Sequence, residues 1–174
     1  ENLLHELKDH YDFTIYCYKN DLAKNHIPGV ETIEFPETPI KGFGVFLYYL
    51  RCCIHILRSN KYDLIHLHKT DAAFFLPLLC SKYKVIATCH ALPHLNEKWS
   101  ALGKFYFRIT EKLFMNSKAI ITAISKPQTD YFYQKYNRSV TFIPNGIHPV
   151  EKVDIKLSNE LLQQFQIKED FIFF

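Results

Sequence analysis

Lys61-Tyr-Asp-Leu-Ile-His-Leu-His-Lys-Thr-Asp-Ala-Ala-Phe-Phe-Leu-Pro-Leu-Leu-Cys-Ser-Lys-Tyr-Lys-Val-Ile-Ala-Thr-Cys-His90 is the stretch that decides the fold. It divides into an apolar strand at Asp63–His68, a short apolar helix at Asp71–Cys80, and a second strand at Lys84–Thr88 that runs into Cys89-His90. A crossover long enough to hold a helix makes the two strands parallel neighbours, because an antiparallel pair needs only a tight turn. Ligands of open parallel sheets collect outside the carboxyl ends of the strands, which puts His68 and His90 where chemistry is usually done.

The same alternation extends in both directions. Upstream, Glu1–Lys8 reads as the end of an amphipathic helix, and Phe13–Tyr18 is a β-branched and aromatic strand. A polar loop leads to Pro28-Gly29, and Glu31–Phe35 is an edge-like strand stopped by Pro36. A Pro- and Gly-bearing loop precedes a helix from Val45 to Arg58, with Phe46, Tyr49, Leu50, Cys53, Ile54 and Leu57 on its inner face and Tyr48, Arg51 and His55 opposite. Downstream, the loop from His90 to Trp99 has the polar, Leu- and Trp-anchored character of a functional loop.

A helix follows from Trp99 to Asn116, with Leu102, Tyr106, Ile109 and Leu113 as its inner stripe and a basic row at Lys104, Arg108 and Lys112. Lys118–Ala123 is a buried-type strand, and Ser125-Lys-Pro127 opens a helix with a hydroxyl cap and an early proline. Val140–Ile143 is a short strand, and Pro144-Asn145-Gly146 is a sharp turn. The remainder changes character, with a Ser158-capped helix near Leu161, Leu162 and Phe165, and an apolar run at Phe171–Phe174. Strands rich in Ile, Val and Phe, alternating with helices, predict an α/β three-layer, Rossmann-like parallel sheet covered on both sides.

A length of 174 residues suits one proper core, and 48% apolar with 22% charged residues excludes a disordered tail. Fifteen Phe and eleven Tyr fit core packing and strand preference. The five cysteines, Cys17, Cys52, Cys53, Cys80 and Cys89, lack metal-ligand spacing, and Cys17, Cys80 and Cys89, in or beside apolar runs, read as reduced core residues of a cytoplasmic protein. The longest apolar run, Phe43–Leu57, is interrupted by Arg51 and His55 and is too short to span a bilayer. The formal charge is only +3, but between Glu97 and Arg138 eight Lys or Arg face three Asp or Glu. That local excess of basic residues suits an anionic partner, or simply a solvated face.

Several chemistries are absent from the sequence: no Gly-x-Gly-x-x-Gly, no phosphate-binding Walker loop, no His-Glu-x-x-His and no Asp-x-Asp pair. His66 and His68 share one strand face but offer no third ligand, so no metal is expected. His90 is the leading candidate, since a strand-end histidine can donate to a phosphate or a sugar hydroxyl through one ring nitrogen. His94 follows on the loop, and Glu97 there is a candidate base. The row Lys104, Arg108 and Lys112, with Phe107 beside it, is a candidate contact for anionic lipid headgroups. Nucleic acid is not expected, for lack of an RNA-binding aromatic signature or a Cys/His finger.

Tyr62–His68, Thr88-Cys89-His90, Ala119–Ser125 and Phe142-Ile-Pro-Asn-Gly-Ile147 occur in an order that resembles the N-terminal domain of a retaining glycosyltransferase of family 4. That family has the GT-B architecture of two facing Rossmann-like domains. The nearer resemblance is to its bacterial rhamnosyl- and galactosyltransferase branch, where Glu97-Lys98-Trp99 and Tyr136 find counterparts. The family usually places glycine after the strand-end histidine, where this chain has Ala91, and the branch often has aspartate in place of His90.

The resemblance implies an acceptor-binding domain over residues 1–147 that lacks its first strand. Residues 148–174 would then be a linker and the start of a donor domain. It implies His90 beside the donor sugar, and donor or acceptor contacts at His68, His94, Glu97, Lys98, Trp99, Asn145 and Gly146. It further implies a nucleotide-sugar donor, no metal or other cofactor, a glycan or lipid-linked acceptor of surface polysaccharide synthesis, and action in the cytoplasm, peripheral to the inner membrane face. A GT-B nucleotide-sugar epimerase and a non-enzymatic α/β binding module share the sheet pattern and stand as alternatives.

Overall fold

β-Branched and aromatic runs become strands, and every strand pair is parallel. The structure, a computed structural model, describes residues 2–19, 27–40, 43–95, 97, 99–146, 160 and 162–165. The chain divides into two compact units, Leu3–Asn145 and Gly146–Phe174. The first contains helix α1 (Asn2–Leu7), strands β1 (Thr14–Tyr18) and β2 (Glu31–Phe35), helix α2 (Gly44–Arg58) and strand β3 (Leu64–His68). It continues with α3 (Leu76–Lys82), β4 (Lys84–Cys89), α4 (Ala101–Asn116), β5 (Ile120–Ala123), α5 (Lys126–Tyr136) and β6 (Thr141–Phe142). In the second unit, residues 160 and 162–164 have helical backbone. Ser158 and the apolar run 171–174 lie outside the described residues.

β1 pairs with β2, and β3-β4-β5-β6 form a separate four-stranded sheet in that order. The register aligns His68 with Thr88, Thr88 with Thr122, and Thr122 with Thr141. The expected crossover between Asp63–His68 and Lys84–Thr88 is therefore found, with the strands parallel. Its helix is broken in two: a tight 3-10 segment covers Thr70–Phe75, and the α-helix begins only at Leu76. Pro77 explains the division, because proline has no N–H to give an ongoing helix but is tolerated in a first turn, where none is needed.

One face of the four-stranded sheet carries the core. Ile65, Val85, Ala87, Cys89, Ile121 and Ala123 pack there against Cys53 and Ile56 of α2, Leu76 and Leu79 of α3, Phe114 and Met115 of α4, and Phe132 of α5. On the alternate residues, Leu64 and Ile120 stay exposed. Thr88 and Thr122, also on the alternate residues, are buried, and the expected α/β arrangement of parallel strands with flanking helices is found. All five cysteines are free, and Cys52, Cys53 and Cys89 are buried.

In α2 the expected inner residues Phe46, Tyr49, Leu50, Cys53 and Leu57 pack in or against the core, joined by Tyr48 from the face expected to be outer, whereas α4 buries a different face from the expected one. In α2 the buried side chains are Tyr48, Cys52, Cys53 and Ile56, while Ile54 is exposed. Tyr48 lies against Tyr18, ring centroids 4.2 Å apart. In α4 the buried set is Phe107, Thr110, Glu111, Phe114 and Met115, and Leu102 is 78% exposed. Both helices carry two apolar stripes at helical spacing. In α4, Phe114 and Met115 lie in the core with Leu113 packed against it, while Leu102 and Ile109 stay exposed.

Smaller devices fix the joints. Ser100 caps α4 by accepting from the Gly103 N–H at 3.3 Å. Ser125 occupies the cap position of α5, but its hydroxyl makes no capping hydrogen bond, contrary to expectation; its carbonyl accepts from Thr129 N–H instead. Gly44 opens α2 directly against the Thr38 carbonyl, where a β-carbon would collide. The Arg138 guanidinium donates to the carbonyls of Met115, Ser117 and Ala119, clamping the end of α4 to the start of β5.

Candidate functional site

Parallel strands bring their carboxyl ends to one edge, and the pairing of β3 with β4 sets His68 beside His90 there. His68 Nδ1 and His90 Nε2 are 3.0 Å apart, with the rings stacked at 5.2 Å between centroids. His66, two residues earlier on β3, places its ring 4.0 Å from that of His68 and bonds through Nε2 to Thr88 Oγ1 at 2.8 Å. Thr88 in turn meets Thr122 Oγ1 at 2.7 Å. A polar chain therefore crosses β3, β4 and β5 next to the histidine pair.

All three rings are held uncharged at neutral pH. Burial, followed by the neighbouring His66 and His90, lowers His68 to about 4. Burial and then His90 lower His66, and burial and then the Lys69 cation lower His90. Edges of His66 and His68 remain open to solvent, but protein crowds their other sides and hydrates a cation poorly. In a pair of neutral imidazoles at hydrogen-bond distance, one nitrogen donates and the other accepts. If His68 donates, His90 holds its own proton on Nδ1 and presents a donor there. If His90 donates from Nε2, its Nδ1 becomes an acceptor. The proton between the rings thus sets what His90 offers to a ligand.

Lys69, directly after β3, has φ +77° and ψ 150°, a conformation side chains other than glycine rarely adopt. Its N–H nevertheless donates to Thr88 carbonyl at 3.1 Å, which extends the β3–β4 ladder by one step beyond His68. Backbone strain of this kind gathers at functional edges. Cys89, adjacent to His90, is no nucleophile: burial first of all pushes its thiol up to about 12.

A second polar cluster lies behind the loop that follows His90. Glu111 of α4, only 2% exposed, accepts from Tyr136 hydroxyl at 2.6 Å, Lys135 Nζ at 2.7 Å and Tyr131 hydroxyl at 3.1 Å. His94 enters from the loop: its Nε2 meets Tyr131 hydroxyl at 3.1 Å, and its Nδ1 comes within 3.1 Å of Glu111 Oε2, out of line for a good hydrogen bond. Burial outweighs the Glu111 charge and keeps His94 below its ordinary pKa. For Lys135, burial opposes the charge, but hydrogen bonds to Glu111 and Tyr131 override it and raise the pKa.

The sequence candidates therefore divide. His68 and His90 come together at the strand edge. His94, expected as a donor or acceptor contact, is buried and reaches the Glu111 cluster through Tyr131. Phe107, expected beside the lipid contact, is 7% exposed and packs edge-on against Trp99 at 4.9 Å. Glu97 and Trp99 are exposed at the head of α4, and Lys98 lies outside the described residues. Asn145 and Gly146 are exposed after β6. Glu111, Tyr131 and Lys135 had not been singled out; the signal was the spacing of Phe107, Thr110, Glu111 and Phe114, which puts a carboxylate on a buried face. Among the described residues, no group of three or more His, Cys, Asp or Glu is arranged to hold a metal ion. A shallow depression of about 320 Å³ opens where Tyr18 ends β1 and Gly44 begins α2, and its lining does not include the histidines.

Comparison with known proteins places this geometry. The structure of sucrose-phosphate synthase from Thermosynechococcus elongatus matches 92% of this chain with a TM-score of 0.61 at 17% identity, a likeness of fold. The chain spans 44% of that protein's chain, less than half its length. No curated protein sequence matches it. The family model described as Glycosyltransferase Family 4 matches residues 1–151, most of the chain, and so the chain belongs to Glycosyltransferase Family 4.

Proposed function

We propose that the whole protein transfers a sugar from a nucleoside diphosphate donor to a glycan or lipid-linked acceptor, with retention of anomeric configuration. This domain forms the acceptor side of the reaction cleft. The observation that carries the reading is the His68–His90 pair at the carboxyl edge of a parallel sheet, in a chain of this family. A neutral His90 ring, oriented by its hydrogen bond to His68, gives the transferring sugar a polar partner without placing a cation beside it. The likeness of Glu97-Lys98-Trp99 and Tyr136 to the bacterial rhamnosyl- and galactosyltransferase branch supports a role in surface polysaccharide synthesis.

The test uses the full-length enzyme with nucleotide-sugar donors, following nucleoside diphosphate release and the anomeric signal of the product. His90→Ala should lower turnover about 10²-fold, equivalent to ~3 kcal/mol of transition-state stabilisation. Turnover should persist in a chelator. A correctly folded His90→Ala enzyme with full turnover removes His90 from the site. Conversion of the donor sugar without any acceptor indicates an epimerase and overturns the transferase reading.

A further inference from the structure

We propose that the buried Glu111 cluster is the mount of the loop that begins at His90, and that Tyr131 is a positioning residue for His90. The inference rests on the reading of His90 as a partner of the transferring sugar. The β4 ladder ends where Cys89 pairs with Ala123, so His90 is the first residue that no strand partner holds. Beyond it the chain turns through a 3-10 segment at Pro93–Leu95, where Leu95 N–H donates to Leu92 carbonyl at 3.1 Å. Of residues 91–95 only His94 is buried. Leu92 packs against the core, a contact without direction, and the Cys89 thiol gives Ala91 carbonyl a weak bond at 3.2 Å. The directional ties of this segment are therefore two: His90 to His68 at one end, and His94 to Tyr131 at the other.

The first tie lies at the solvent edge, where water competes for both rings; the second is closed off by α4 and α5. Tyr131 hydroxyl stands 3.1 Å from Glu111 Oε1 and 3.1 Å from His94 Nε2, and it has one proton to give. Turned to His94, it leaves the imidazole proton on Nδ1, facing Glu111 Oε2 at 3.1 Å. Turned to Glu111, it accepts from His94 Nε2–H instead. Tyr131 holds His94 in both arrangements. Lys135 Nζ, 2.6 Å from the Tyr131 oxygen and 2.7 Å from Glu111 Oε1, fixes the hydroxyl against the carboxylate in both as well. Two helices distant in sequence thus set the angle at which the chain leaves His90, and a small displacement of a reacting partner is costly in rate.

The test uses the full-length enzyme and two readings, one of which needs no substrate. Hydrogen–deuterium exchange compares the parent with Tyr131→Phe and Tyr136→Phe. Tyr131→Phe should speed exchange in residues 90–95 about tenfold, the factor set by one lost hydrogen bond, and well beyond any change in β4 and β5. Tyr136→Phe removes a hydroxyl 2.6 Å from the same carboxylate that bonds no described residue of the loop, so it should lack that selective effect. In sugar transfer, Tyr131→Phe should lower kcat about tenfold with KM unchanged. The double variant His90→Ala/Tyr131→Phe should be no slower than His90→Ala, because nothing is left to position. Parent-like exchange of residues 90–95 in Tyr131→Phe overturns the proposal, as does a Tyr131→Phe loss that adds in full to that of His90→Ala. A parent enzyme that transfers no sugar overturns the proposed function, and exchange alone then decides the mount.

Discussion

Removing the Glu111 carboxylate should be among the most destabilising single changes in this domain. Glu111→Ala takes the acceptor away from Tyr136, whose hydroxyl sits 2.6 Å from it, and a hydrogen bond to a charged group contributes about 1.5–3 kcal/mol. Tyr131 recovers part of its loss by turning fully to His94 Nε2, already 3.1 Å away. Lys135 adds little, because its side chain is 41% exposed and can swing into water. Deleting the buried side-chain atoms leaves a cavity costing a further ~1–2 kcal/mol. The sum is ~3–5 kcal/mol, the range found when one partner of a buried pair is lost. Glu111→Gln keeps the volume and an acceptor oxygen, and should cost only about 1–2 kcal/mol. Urea unfolding of both variants, combined with Tyr136→Phe in a double-mutant cycle, measures the coupling directly. A Glu111→Ala cost below ~1 kcal/mol would refute the reasoning. A Tyr136→Phe penalty that is the same with and without the carboxylate would do so too.

Three further outcomes follow from single features. Gly44→Ala should destabilise by about 2 kcal/mol or more, since the new β-carbon meets the Thr38 carbonyl and not a pliable side chain; thermal unfolding reads it. Lys69→Gly should keep or raise stability because glycine adopts φ +77° freely, whereas Lys69→Val should cost about 1–2 kcal/mol; equal effects would show that the residue is unstrained. His68 titrates near 4 in the folded chain against about 6.5 when unfolded, so the unfolded chain takes up its proton first as pH falls. Stability should hold above about pH 6.5 and decline toward pH 4, and His68→Gln should flatten that part of the profile; an unchanged profile would count against the burial of the pair.

The parallel sheet was legible because a crossover of helix length leaves little topological freedom, and the run from Lys61 to His90 shows strand, crossover and strand without interruption. The pairing of His68 with His90 followed from that same topology. Which stripe of α4 faces the core was not legible: Leu102 and Ile109 fit the periodicity as well as Phe107 and Phe114 do, and only tertiary packing chooses between them. His94 and Glu111 illustrate a related gap. A lone polar residue beside an apolar one carries no sequence mark of being buried, because its partners, Tyr131 and Tyr136, arrive from a helix twenty or more residues later.

The division of the strands into two ladders has a consequence for how the domain opens. Among the described residues, β1 and β2 share ladder hydrogen bonds only with each other, whereas β4 and β5 are each bonded on both sides within the larger sheet. Backbone amides exchange with solvent deuterium only when their ladder parts, so a doubly flanked strand waits for a larger rearrangement than a two-stranded ribbon does. Amides of β4 and β5 will therefore mark the slow-exchanging heart of the molecule, while β1 and β2 follow their own, faster clock. The histidine edge sits on the slow side of that divide, anchored to the part of the chain that opens last.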